Sequence, residues 1–478
     1  MLFKGIGDLI PLYALYAVLF ADHGLSTGQI SSLLAMWSAT AFLLEVPSGA
    51  WADTVSRRGL LVTSGVLLTA GFMCWTVLPT YLGFAIGFVL WGVSGALVSG
   101  TFEALLYDEL VARNKQRAYP RIIVYARAAS EAAIVIAILA ATPLYIWGGY
   151  PLLGWCSVAF AALHTLVGLS LPSAPKAVSA SAVEDLEDED GSSEISRAAG
   201  ASTGQPVAVR ESSASGSSVQ LDGDIAQGPH AHYASETGRV ATEAAGIVTE
   251  SRPFATYLNM LRTGVSEAIR VRAVRNAVAL GALLSGVTAF DEYFALLAQE
   301  VGVATAVVPV LVGITVVGSL VGSVSAGRTE GMSARAMAIA VGLGGALFVG
   351  GAVVAGLAVR SPAAVYVLAG VGFTAIGVSY GIVYNASVVA GARLQDAIEG
   401  PARATVTSVS GLASEVVALV VFGFAAIATM WLSMSTTVAL LGASLLAIAL
   451  LIPSSLPRRT AERCGSEALE YEDAVADE

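Results

Sequence analysis

Apolar stretches of membrane-crossing length recur along this chain in two blocks separated by a polar middle. At 1.5 Å per helical residue, about 20 apolar residues span the roughly 30 Å of a bilayer core. Six stretches lie between residues 4 and 172, near 4–22, 29–50, 59–78, 80–110, 121–146 and 150–171. Six more follow, near 276–298, 303–327, 334–358, 362–391, 401–427 and 431–453. The pattern predicts an all-α polytopic membrane protein of two six-helix bundles, over residues 1–172 and 276–454.

Composition agrees with that pattern: 55% of the 478 residues are hydrophobic and 13% charged, with a mean hydropathy of +0.73, against about 25% charged residues in soluble chains. The middle, residues 173–252, has another character. It carries Glu184-Asp185-Leu186-Glu187-Asp188-Glu189-Asp190, then Ser, Ala and Gly. Such a stretch buries too little apolar area to offset chain entropy, so a disordered acidic cytoplasmic linker is expected. His230 and His232 fall inside it without Cys or acidic neighbours and read as solvated, not as metal ligands.

Between 253 and 275 helical spacing returns in Phe254, Tyr257, Leu258, Leu261, Val265 and Ile269, with Arg262, Arg270, Arg272 and Arg275 among or just beyond them. That predicts either an amphipathic helix on the inner membrane surface or a solvated lead-in to the seventh segment. The linker and an acidic tail over 455–478 contribute to the net charge of −11, which says little about substrate. Cys74, Cys156 and Cys464 show no framework spacing, so neither a disulfide nor a zinc site is expected.

Loop charge orients the segments, because Lys and Arg are retained on the cytoplasmic side. From a cytoplasmic start, the inner loops receive Arg57, Arg58, Arg113, Lys115, Arg117, Arg328, Arg335 and Arg393, and the outer loops only Arg360. Both termini are therefore expected to face the cytoplasm from the cell membrane. No small-residue cleavage site closes the first apolar segment, so no cleavable signal peptide is expected.

The turn Glu45-Val46-Pro47-Ser48-Gly49-Ala50-Trp51-Ala52-Asp53-Thr54-Val55-Ser56-Arg57-Arg58-Gly59 sits between two of these segments. An acid and two adjacent Arg in so short a turn resemble the loop between helices 2 and 3 of the major facilitator superfamily of secondary transporters. Glu45 to Gly49, together with Thr101 to Asp108, are similar to one group of twelve-helix permeases in it. The resemblance implies that Gly49 permits close helix approach while Asp53, Arg57 and Arg58 latch the cytoplasmic helix ends. It also implies two halves related by an axis along the membrane normal, which a short repeat supports: Ala128 to Ala133, around Glu131, parallels Leu412 to Val417, around Glu415. The chain departs from the family pattern at Thr54 (usually a base), Ser56 (usually Gly) and Phe88 (an Arg in many proton-driven exporters). It has Thr142-Pro143 in place of a Gly-Pro signature.

Ionisable groups inside the membrane cost about 2.5–3.5 kcal/mol each at a helix centre, so they face a cavity or one another. Asp291 and Glu292 lie on the seventh segment roughly 10–14 Å below its outer end. The resemblance implies that helices 1, 4, 7 and 10 line the central cavity. The two acids read either as a substrate- or proton-binding pair or as structural carboxylates bonded to a neighbouring helix. Tyr13, Tyr16 and Asn385 read as cavity lining or as packing. Nearer the cytoplasm, Glu103, Asp108, Arg127 and Glu131 are expected to form a charge network between the fourth and fifth helices, joined by Asp8, Glu45 and the repeat's Glu415. That network is either a gate or a permanent salt bridge. His164 reads as a hydrogen-bonded packing residue.

No GxxxxGK[ST] or HExxH run occurs, and Gly377-Val378-Ser379-Tyr380-Gly381 matches a nucleophile elbow only in letters, being embedded in an apolar helix. Gly377 and Gly381, like Gly318 and Gly322, read as close-packing positions. The expected function is movement of a small-molecule substrate by alternating access, without enzymatic activity, cofactor, metal or nucleic acid, by a monomer in a lipid bilayer. Export by proton exchange comes first and proton-coupled uptake second. A membrane receptor or scaffold on the same fold, acting through the acidic linker, is the reading from another class.

Overall fold

The computed structural model describes residues 1–173, 175–177, 272–397 and 403–457. The linker expected over 173–252, the surface helix over 253–275 and the tail over 455–478 lie outside the described residues, but for a few at their edges. Every regular element among the described residues is helical.

The first segment is broken. Helix α1 (Leu2–Gly7) ends at Asp8, a 3-10 turn follows over Pro11–Ala14, and α2 (Tyr16–Asp22) completes the crossing. Pro11 supplies no N–H and fixes φ, which favours the first turn of a new helix over continuation of the old one. Helix α3 (Thr27–Thr54) starts on a capping box of Ser26 and Gln29 and bends by 47° between Leu44 and Pro47, as an internal proline requires. Helix α4 (Arg57–Val77) starts on Ser56 and α5 (Tyr81–Val98) on Thr80. The stretch expected as one helix over 80–110 is instead divided at Ser99 and Gly100, and α6 is Thr101–Ala112. Gly100 has φ +66° there, a left-handed conformation that side chains with a Cβ resist.

Helix α7 (Tyr119–Leu169) runs for 51 residues, roughly 75 Å, more than twice a bilayer core. It is two crossings joined at Gly148 and Gly149, the latter at φ +60°, where the chain reverses. In the second half α8 (Arg272–Gly286) gives way to a 3-10 segment, Val287–Tyr293, before α9 (Phe294–Glu300). Then come α10 (Val308–Thr329), α11 (Ala334–Leu357), α12 (Val365–Ala397), α13 (Arg403–Ala428) and α14 (Met434–Ser455).

Within the first half α4 packs on α5 and α7, α3 on α5, and α1 on α7; within the second α10 packs on α12, and α11 on α12 and α14. The halves meet along α3 with α13 and along α7 with α10. The close-packing glycines lie on one of these seams. A Cβ at Gly322 would come within 1.9 Å of Gly381 O, and one at Gly318 within 2.0 Å of Gly377 O, so α10 and α12 touch backbone to backbone. At Gly49, by contrast, a Cβ would meet open space, so the close approach implied for it is not made in this structure. The outer surface is apolar, with Leu450 at 82% and Val324 at 77% exposure, as a lipid-facing belt requires. Trp147 and Trp431 are exposed beside the loops opposite the N-terminus, where amphipathic rings favour the membrane interface.

Candidate functional site

The 3-10 segment Val287–Tyr293 positions the two intramembrane acids. Successive residues in a 3-10 helix turn by about 120°, so neighbours in sequence point different ways. Asp291 turns into its own half and accepts a hydrogen bond from the Tyr380 hydroxyl of α12 at 2.6 Å. Glu292 turns to the other half and accepts one from Tyr16 of α2. The partners found are both phenols, one within a half and one across the interface. Each acid keeps part of its surface accessible.

Aromatic rings surround both pairs. Tyr16 lies against Phe20, Trp75, Phe88 and Trp91. Phe88, at the position where the family resemblance places a base, is completely buried among them. Tyr380 lies against Phe290, Phe294 and Tyr384. Tyr13, the other expected lining tyrosine, stacks on Trp91 with centroids 5.0 Å apart.

Further bonds cross between the halves toward the loops opposite the N-terminus, here called the far face. Ser31 and Tyr293 share a hydrogen bond of 2.7 Å, Thr142 donates to Ala306 O at 2.9 Å, and Gln299 Nε2 donates to Asp22 at 2.6 Å. Asp22 also accepts from the Tyr150 hydroxyl at 2.6 Å. Deeper in, Ser38 of α3 donates to Glu415 of α13 at 2.5 Å, which places Glu415 on the interface between halves and not in a network with Glu103.

On the N-terminal face the charges form separate groups. Arg57, 3% exposed, donates to Asp108 at 2.7 Å, to Asp53 at 3.2 Å and to the carbonyls of Ala52 and Ala104. Asp108, 1% exposed, also accepts from Ala177 N at 2.8 Å. Arg58 donates to Leu169 O. Glu103 pairs with Lys4 of α1 at 3.2 Å. The ion pairs found for Glu103 and Asp108 thus run to α1 and α4, whereas the expected network ran to the start of α7. Asp8 accepts from Ser130, the residue before the exposed Glu131. The side chain of Glu45 lies outside the described residues, and Arg127 has a partner of its own.

Asn385 donates to Gly322 O at 3.1 Å and Ser325 at 3.0 Å and accepts from Thr329 at 2.9 Å, all on α10. It joins two helices. His164 donates from Nδ1 to Phe3 O at 2.9 Å, in a buried contact. Tyr380, Lys4, Asp22 and Gln299 carry much of this geometry, and sequence reasoning passed over them. In the sequence Tyr380 stands only inside the elbow-like run.

The far-face bonds, the broken segments and the acids at one of the breaks define a multi-pass membrane transporter with two halves. The Major Facilitator Superfamily profile matches residues 2–413, and the chain belongs to this family of secondary transporters, which are not enzymes and bind small-molecule substrates. Its fold is similar to that of the nucleoside transporter NupG, at 11% identity and a TM-score of 0.59, covering 95% of this chain and 96% of the other. A point mutant of NupG gives a TM-score of 0.60 at the same identity, covering 95% and 97%. Comparison with curated protein sequences finds no match.

Proposed function

We propose that this protein is a proton-coupled exchanger that exports a small cationic solute across the cell membrane by alternating access, as a monomer with both termini in the cytoplasm. The observation that carries the reading is the placement of Asp291 and Glu292 on the 3-10 break of the seventh segment, one bonded within its half and the other across the interface. Ionisable side chains inside a membrane mark proton and solute pathways, and broken helices near the midplane are where such transporters bind.

Exchange follows from the charge of the groups involved. Asp8 in the first half and Asp291 and Glu292 in the second place carboxylates among the helices of both halves. A proton and a cation compete for such carboxylates, so occupancy by one excludes the other and the two move in opposite directions. Releasing Glu292 from Tyr16 removes one tie between the halves, which links occupancy of the acid to rocking of the fold. The basic residues at the N-terminal face support its cytoplasmic placement.

The test uses the purified protein in proteoliposomes with a trapped pH dye, an imposed proton gradient and a mixed library of organic cations, sugars, amino acids and nucleosides. A cation that drives protons the opposite way, with the effect lost in Asp291→Asn or Glu292→Gln, supports exchange. Protons moving with the solute would replace it by uptake. No substrate-dependent proton movement from folded protein would remove proton coupling.

A further inference from the structure

The N-terminal half contains a cavity of about 460 Å³ that the acids of the seventh segment do not line. It lies where two broken segments meet, the end of α1 at Asp8 and the division of α5 from α6 at Ser99 and Gly100. Lys4, Asp8, Tyr13, Trp91, Glu103 and Ser130 are among its walls. Its volume falls within the roughly 300–1,000 Å³ of small-molecule sites.

A primary ammonium already occupies part of this chemistry. Lys4 Nζ lies 3.2 Å from Glu103 Oε1 and 5.0 Å over the centre of the Phe102 ring, so it makes an ion pair and a cation–π contact together. The other Glu103 oxygen, Oε2, is buried without a hydrogen-bond partner. A buried acceptor left unsatisfied is costly, and a second N–H donor would recover that cost. Asp8 brings a further carboxylate to the same wall. Lys4 brings one positive charge to these two carboxylates. The stacked Tyr13 and Trp91 offer a flat aromatic surface beside them.

We propose that this cavity is a subsite for a primary or secondary amine carried on an aromatic body, and that Lys4 is its built-in competitor. Lys4 sits on a six-residue helix at the chain start, and its side chain is a flexible stem with a point charge at the end. An arriving amine displaces the Lys4 ammonium from Glu103, supplies a donor to Oε2 and places its ring against Trp91. The inference deepens the cationic-cargo reading by naming a place where such a solute binds. Its test measures equilibrium binding and needs no transport.

The measurement is calorimetric titration of 2-phenylethylamine, with 2-phenylethanol as the uncharged analogue, into the full-length protein in nanodiscs. The amine is expected to bind at least about tenfold more tightly than the alcohol. Lys4→Met should tighten amine binding by about tenfold, equivalent to ~1.4 kcal/mol, by removing the ammonium that competes for Glu103. Lys4→Arg, which keeps the competing charge, should leave it near the native value. Glu103→Gln in the Lys4→Met background should abolish the gain. Equal binding of amine and alcohol, no tightening in Lys4→Met, or a gain that survives Glu103→Gln would each overturn the proposal. If Lys4→Met does not fold, Lys4→Gln makes the same test. Amine binding that persists without proton flux removes the coupling reading alone, and proton flux without amine binding removes this one alone.

Discussion

Asp291 and Glu292 are adjacent in the chain but serve different contacts, because a 3-10 turn splays them toward opposite partners. Substitution of the two phenols separates those contacts. Tyr16→Phe removes a hydrogen bond to a charged group across the halves, worth about 1.5–3 kcal/mol. Tyr380→Phe removes one inside a half. Tyr16→Phe is therefore expected to speed far-face labelling of a cysteine placed at Ala298, fully buried in α9, by about tenfold or more, and Tyr380→Phe to leave that rate unchanged. Equal acceleration in both, followed by maleimide labelling, would remove the distinction between the acids. Both carboxylates were legible in the sequence, because an ionisable residue in an apolar run stands out. Their partners were not, since Tyr16 and Glu292 are 276 positions apart.

At the level of elements, Arg57 ties the starts and ends of three helices together on the N-terminal face. Its side chain is 2% exposed, as is Asp108 at 1%, while Asp53 is 39% exposed. That difference decides what each acid contributes. Asp108→Asn takes the buried carboxylate from Arg57 and leaves the guanidinium to the exposed Asp53, and should lower the thermal midpoint markedly. Asp53→Asn removes an exposed pair worth about 0–1 kcal/mol, so stability should hold while turnover in proteoliposomes falls. A large midpoint drop in Asp53→Asn would show that exposure misjudges the pair. On α10, Gly322→Ala forces a methyl against Gly381 O and is expected to destabilise by about 1–3 kcal/mol or more, read as loss of folded protein in size-exclusion chromatography. The acid and Arg pair of this turn were recognisable from the sequence. Asp108 as the buried partner was not, because it lies 51 positions away on another helix.

For the whole molecule, the bonds linking the halves toward the far face involve Asp22, Ser31, Thr142, Tyr293, Ala306 and Gln299. Under alternating access such ties have to break and reform in each cycle. Cysteines at Asp22 and Gln299, joined by a short bis-maleimide in a background free of the three native cysteines, should arrest transport. Full transport after cross-linking would mean that the far face does not open between these positions. A homobifunctional reagent applied to either single variant supplies the control.

A helical membrane protein in two halves can be read from the chain, because long apolar runs have no stable place outside a bilayer or a core. The chain also shows where the charges inside the membrane fall, and the glycines at which two helices touch, because each carries its reason in its own local pattern. Which side chains meet emerges from the folded bundle: Lys4 with Glu103, Arg57 with Asp108, Tyr380 with Asp291, and Asn385 with α10. So do the breaks in the first, fourth and seventh segments. Contacts of this kind depend on which helix faces are turned toward each other, and that rotation is set by packing across the whole bundle, not by any run of neighbouring residues.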